Sequence, residues 1–145
     1  MLEEYAGERI VTARLVQPAD AADPGDRALL RAGPDAGLLT RTTDLVGIDS
    51  RTVYVRAHAV IALDALPEPL RTALCETEEP IGRLLRQHRT ESFRELVDGP
   101  RTGPAGARRR YRIFTGGVPT FLISETFLPA CFAAENDTPD RGRTG

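Results

Sequence analysis

The chain has 145 residues, of which 41% are hydrophobic and 28% charged, with a formal net charge of −2. That balance suits one globular domain with a real core and excludes a global electrostatic pull on nucleic acid. All 19 basic residues are arginine, which removes lysine Schiff-base chemistry. No apolar run approaches the roughly 18 residues of a membrane span, and Met1 opens no signal peptide. No membrane or nucleic-acid partner is therefore expected, and the expected compartment is the cytoplasm. Cys75 and Cys131, with His58 and His88, have no metal-ligand spacing, so no metal site is expected.

Leu2 to Gly7 reads as the end of a helix closed by Gly7. Arg9 to Gln17 alternates and is rich in β-branched residues, as a strand is. Pro18 to Gly37 is Pro/Asp/Gly-rich loop, with one helical turn at Asp26 to Arg31. Leu38 to Gly47 is a second strand, with Arg41, Thr43 and Leu45 on one face. Thr52 to Leu63 is a third, with Val53, Val55, Ala57, Ala59 and Ile61 on its apolar face and Tyr54, Arg56, His58 and Val60 opposite. Asp64 to Thr77 is helical through Leu66, Leu70 and Leu74, with Pro67 in the first turn. Ile81 to Arg89 is another short helix. Thr90 to Leu96 is read as a strand by its Phe93 and Leu96 pattern, the alternative being a continuation of that helix, and Asp98 to Arg110 is read as a flexible loop.

Tyr111 to Pro129 is the most informative stretch. Thr115-Gly116-Gly117 supplies the positive φ angles of a tight hairpin turn. In the strand that follows, Pro119, Phe121, Ile123, Glu125 and Phe127 share one face. Glu125 is the one carboxylate in that apolar row. An acid there is costly to bury unless something pairs with it, protonates it or binds to it. Asn136 to Gly145 is a polar tail, expected to be disordered. The predicted fold class is α+β: an antiparallel sheet of about six strands with short helices packed on one face, spanning residues 1–135 as one domain.

Several segments together resemble the chorismate pyruvate-lyase family, in particular its actinobacterial branch. They are VIALDALP (60–67), PIGRLL (80–85), TESFRE (90–95) and RRYRIFTGGVPTFLISETFLPACF (109–132), with Leu2 to Glu8 matching a Leu-Glu-x-x-x-Gly-Glu stretch. The last long segment is the most specific. The resemblance implies a cofactor-independent lyase that removes the enolpyruvyl group of chorismate, giving 4-hydroxybenzoate and pyruvate in a pocket beneath helical flaps.

The resemblance also implies site residues. Arg41 matches the arginine that grips the ring carboxylate; the alternative is a solvated strand residue, or one paired with Asp44. Glu125 matches the catalytic glutamate near the ring oxygen para to that carboxylate. Its neighbours Ile123 and Phe127 would favour a neutral acid able to donate to the ether oxygen. The alternative is a core carboxylate bridged to Arg110 or Arg112. Pro80-Ile81-Gly82 matches a turn whose main chain contacts the ligand, with the Ile81 N–H as donor. His58 stands where some members carry a second pocket arginine and would meet the enolpyruvyl carboxylate, or else is a polar residue on the outer face.

The family's first helix would be entered partway by this chain, with its covering segment missing. A competing reading is a sensor, since a similar fold serves as the small-molecule domain of GntR-type regulators. A third is a secondary-metabolism lyase acting on a modified chorismate. Oligomeric state is left open. Arg108-Arg109-Arg110 with Arg112 lacks interleaved exposed aromatics and reads as a solvated run rather than a nucleic-acid patch.

Overall fold

Alternation along the chain becomes two three-stranded meanders joined edge to edge. The computed structural model describes residues 7–18, 24–77, 79–103 and 106–129. The strands are β1 (Ile10–Pro18), β2 (Leu38–Gly47), β3 (Val53–Ala62), β4 (Ser92–Gly103), β5 (Gly106–Thr115) and β6 (Val118–Phe127). They form one sheet in the order β1-β2-β3-β6-β5-β4, with every neighbouring pair antiparallel. The helices are α1 (Pro24–Leu29), α2 (Glu68–Glu76) and α3 (Ile81–Gln87), with a 3₁₀ turn at Leu63–Ala65. The chain is therefore an α+β fold on an antiparallel sheet, and α2 and α3 occupy the connection between the two meanders.

The main core lies under α2 and α3. Leu39, Ile61, Phe121 and Ile113 stand side by side across four strands. Leu66, Leu70, Leu74, Leu84 and Leu85 descend on them, each at most 5% exposed. The leucine spacing read from the sequence is thus the contact face of α2, stabilised by the burial of whole side chains. On the reverse face Leu30, just past α1, packs with Leu38, Val60, Ala62 and Leu122. Among the described residues no helix is long and apolar enough to cross a membrane.

Two predicted elements change. The helix expected from Asp64 is split, because Pro67 sits outside α2 as its N-cap with extended backbone angles and Leu63–Ala65 closes as a 3₁₀ turn. The segment expected as a loop, Asp98 to Arg110, is mostly strand. Cross-strand partners such as Glu95↔Arg112 and Asp98↔Arg110 hold β4 on β5, with register shifts near Asp98. A polar strand at the sheet edge has no apolar alternation to reveal it, and an edge tolerates proline and bulges. At the start of β5, Gly106 has φ +112°, and a Cβ there would collide with the Phe127 carbonyl. The predicted helix before Gly7, Cys131 and the polar tail lie outside the described residues.

Glu8, in the Leu-Glu-x-x-x-Gly-Glu stretch, clamps the turn between β2 and β3. Its carboxylate accepts from the Asp49 and Ser50 amides at 2.9 Å each, from Ser50 Oγ at 2.6 Å and from Tyr54 Oη at 3.0 Å. Gly47 leaves room for it, since a Cβ there would push the same carboxylate aside. The Ser50 hydroxyl first, and then its amide, hold the Glu8 pKa down from 4.5 to about 2. Because the folded value is depressed, the stabilisation is complete above pH 4.5 and is lost as pH falls toward 2. Glu8→Gln is therefore expected to lower Tm at pH 7, with the gap from wild type closing as pH drops through that window. Thermal melts at several pH values check this, and a gap that stays constant with pH would refute it.

Candidate active site

Three rows of side chains cross the helix-covered face of the sheet. The first is the leucine-capped row Leu39–Ile61–Phe121–Ile113. The second is Val16–Arg41–Ala59–Ile123–Tyr111, and the third is Arg14–Thr43–Ala57–Glu125–Arg109. The helices cover the first row, and the Pro80–Ile81 end of α3 overhangs the second. At the centre of the second and third rows β3 contributes only Ala59 and Ala57, which lack the bulk to fill the space. The result is a cavity of about 230 Å³, walled by Arg14, Arg41, Thr43, Tyr111, Ile123, Glu125, Pro80 and Ile81 around the two alanines. That is somewhat smaller than the usual range of small-molecule pockets.

Arg41 is 3% exposed. Its Nη1 donates to the Glu79 carbonyl at 2.8 Å and its Nη2 to the Thr77 carbonyl at 2.7 Å. It therefore ties β2 to the segment between α2 and α3, and through that segment sets the position of Ile81. It does not pair with Asp44, which instead holds Arg56 on the reverse face through two bonds of 2.8 and 3.0 Å. Ile81 opens α3, where the first-turn amides have no intrahelical acceptor.

Glu125 is not left in an apolar surround. Arg109 Nε donates to its Oε1 at 2.6 Å and the Tyr111 hydroxyl donates to its Oε2 at 3.2 Å. The arginine partner is Arg109, not Arg110 or Arg112, because alternation turns those two to the other face. There Arg110 reaches Asp26 and Asp98, and Arg112 reaches Glu95 and the Leu29 carbonyl. Tyr111 is 7% exposed. Burial foremost, and then the charge of Glu125, push its phenol above its ordinary pKa, with Arg94 and Arg109 opposing. It therefore keeps its proton through the neutral range. Two donors thus point at the Glu125 carboxyl group, one on each oxygen.

Of the five residues singled out from the sequence, Arg41, Ile81 and Glu125 border one cavity. His58 does not. It alternates with Ala57 and Ala59, so it faces the reverse side, where its Nδ1 lies 3.0 Å from Thr42 Oγ1. Gly82 does not border the cavity either. A Cβ there would meet only the Arg86 guanidinium at an ordinary 3.5 Å. Reading the sequence missed Arg14, Arg109 and Tyr111. Their strand parity is visible in the sequence, but the face each parity class occupies is fixed only by register. On the reverse face, the depression that holds His58 and Arg108 also holds Arg56 and Arg110, each already paired with aspartate. Among the described residues no group of three or more His, Cys, Asp or Glu is arranged to hold a metal.

No family model matches the chain. Two relatives, each named chorismate pyruvate-lyase, come from mycobacteria. The protein of Mycobacterium tuberculosis H37Rv is 31% identical over 119 residues, covering 72% of this chain and 60% of the relative. That of Mycobacterium leprae is 34% identical over 116 residues, covering 70% and 54%. The chain thus spans under two thirds of the length of these relatives. Similar solved structures include the ligand-binding domain of a GntR-family transcriptional regulator from Bordetella bronchiseptica, with TM-score 0.53, 13% identity and coverage of 83% of this chain and 86% of that one. Another is the GntR-family regulator of Enterococcus faecalis V583, with TM-score 0.54, 13% identity and coverage of 86% and 96%. At that identity these two speak to fold alone, whereas the mycobacterial matches are matches of sequence. By sequence, the chain is similar to chorismate pyruvate-lyases of actinobacteria.

Proposed function

We propose that this protein is a cytoplasmic lyase that cleaves chorismate to 4-hydroxybenzoate and pyruvate without a cofactor. One observation carries the reading: Arg41, Ile81 and Glu125, drawn from three separate segments, border a single cavity. In this reading the ring carboxylate is held by Arg41 and the Ile81 amide. An arginine has five N–H donors, so two carbonyl bonds and a carboxylate clamp are compatible on one guanidinium.

Glu125 accepts from the ring hydroxyl at the far end and draws the ring proton beside it. The ether C–O bond breaks with its electron pair going to the enolpyruvate oxygen. The ring loses its proton and becomes aromatic, which drives the reaction downhill. The proton that Glu125 takes is delivered to the departing enolpyruvate oxygen. Enolpyruvate then tautomerises to pyruvate.

The test is pyruvate release from purified protein and chorismate, coupled to lactate dehydrogenase, with the aromatic product identified by chromatography. Pyruvate and 4-hydroxybenzoate in equal amounts are expected. A folded protein that releases no pyruvate would overturn the reading.

A further inference from the structure

Arg14 reaches the cavity from β1, the edge strand of the sheet, and is half-buried on its wall. Among the described residues no carboxylate pairs with it. The cavity's own acid, Glu125, is taken up by Arg109 and Tyr111. A guanidinium on a cavity wall, with no described anion of its own chain beside it, is suited to an anion brought by the ligand.

Its place relative to Arg41 sets what that anion is. Arg14 pairs with Thr43 and Val16 pairs with Arg41, so Arg14 stands one row along and one strand over from Arg41. With same-face residues about 6.8 Å apart along a strand and strands about 4.8 Å apart, the two arginine Cα atoms are about 8 Å from each other. That spacing fits two carboxylates of one molecule rather than the two oxygens of one carboxylate. Thr43 next to them on β2 and the two alanines on the following strand, β3, leave room for the body of the ligand.

We propose that Arg14 is a specificity-determining residue that binds the second carboxylate, that of the enolpyruvyl arm, and so selects a dianionic ring acid over a monoanionic one. The inference rests on the lyase reading for the identity of the substrate. It also gives the site a way to let go. When the ether bond breaks, the carboxylate held by Arg14 leaves with pyruvate, and the aromatic product keeps only the contacts at the Arg41 end.

The experiment is calorimetric titration of wild type, Arg14→Gln and Arg14→Lys with two unreactive probes, alongside chorismate kinetics. The probes are 4-hydroxybenzoate, with one carboxylate, and 3-(carboxymethoxy)-4-hydroxybenzoate, with two. Wild type is expected to prefer the diacid by about tenfold or more, as a charge-assisted fork allows. Arg14→Gln is expected to bring that preference to about threefold or less by loss of the charged fork, leaving 4-hydroxybenzoate binding unchanged. Its KM for chorismate should rise about tenfold to a hundredfold with kcat little altered, the pattern of lost substrate binding. Arg14→Lys, which keeps charge without the fork, should fall between.

A diacid preference that survives Arg14→Gln, or its absence in wild type, overturns the inference. If chorismate is not turned over but the diacid preference is present and lost in Arg14→Gln, the second-carboxylate site stands and the lyase reading falls. If chorismate is turned over and Arg14→Gln leaves KM unchanged, the lyase reading stands and the role of Arg14 falls.

Discussion

Glu125→Gln is expected to reduce kcat for pyruvate release by about 10²- to 10³-fold, the usual weight of a single acid–base or oxyanion contact. The amide keeps the shape of the side chain and can still accept from Tyr111. What it loses is the negative charge that meets Arg109 at 2.6 Å and that would draw the ring proton. Stability should change little. The Arg109 side chain is 46% exposed, and an ion pair so open to water contributes about 1 kcal/mol or less. The two readouts together are diagnostic. Rate constants near those of wild type would remove Glu125 from the mechanism. A large fall in Tm with the fall in rate would instead make it a structural acid.

Arg41→Ala is expected to behave differently, losing both activity and stability. Its guanidinium is buried and carries the carbonyls of Thr77 and Glu79. Removing it strands two acceptors and opens a void, a loss of about 2–4 kcal/mol, or roughly 10 °C in Tm for a domain of this size. Pyruvate release should drop below detection, because the Ile81 end of α3 loses its tether when the carboxylate clamp goes. Arg41→Lys should recover part of the stability but little of the activity, since one ammonium cannot span both carbonyls and a carboxylate. Melting curves and steady-state rates on the same preparations check this. A wild-type Tm for Arg41→Ala would show that the carbonyl bonds contribute nothing to the fold.

Much of this was legible in the chain itself. The bounds of β2 were readable to the residue, and β3 and β6 nearly so, because each alternates an apolar face with a polar one and each is closed by a turn. The spacing of Leu66, Leu70 and Leu74 announced the buried stripe of α2. Glu125 stood out because a carboxylate in an apolar row needs a partner. Register lay beyond the sequence. Within a strand, parity separates Arg109 and Tyr111 from Arg110 and Arg112, but only the pairing of β5 with β6 brings Arg109 and Tyr111 to Glu125. The same pairing logic sends His58 to the reverse face and brings Arg14 in from the far edge.

The sequence by itself therefore determined most of the strands, the buried face of α2, the family resemblance and the existence of an acid that had to be satisfied, since periodicity and local turn chemistry are properties of neighbouring residues. Only the tertiary structure decided which groups satisfy that acid, that Arg41 holds the main chain above the cavity, and that two alanines make room for the cavity. Those depend on contacts between residues far apart in the chain, and such contacts are set by strand register and helix docking.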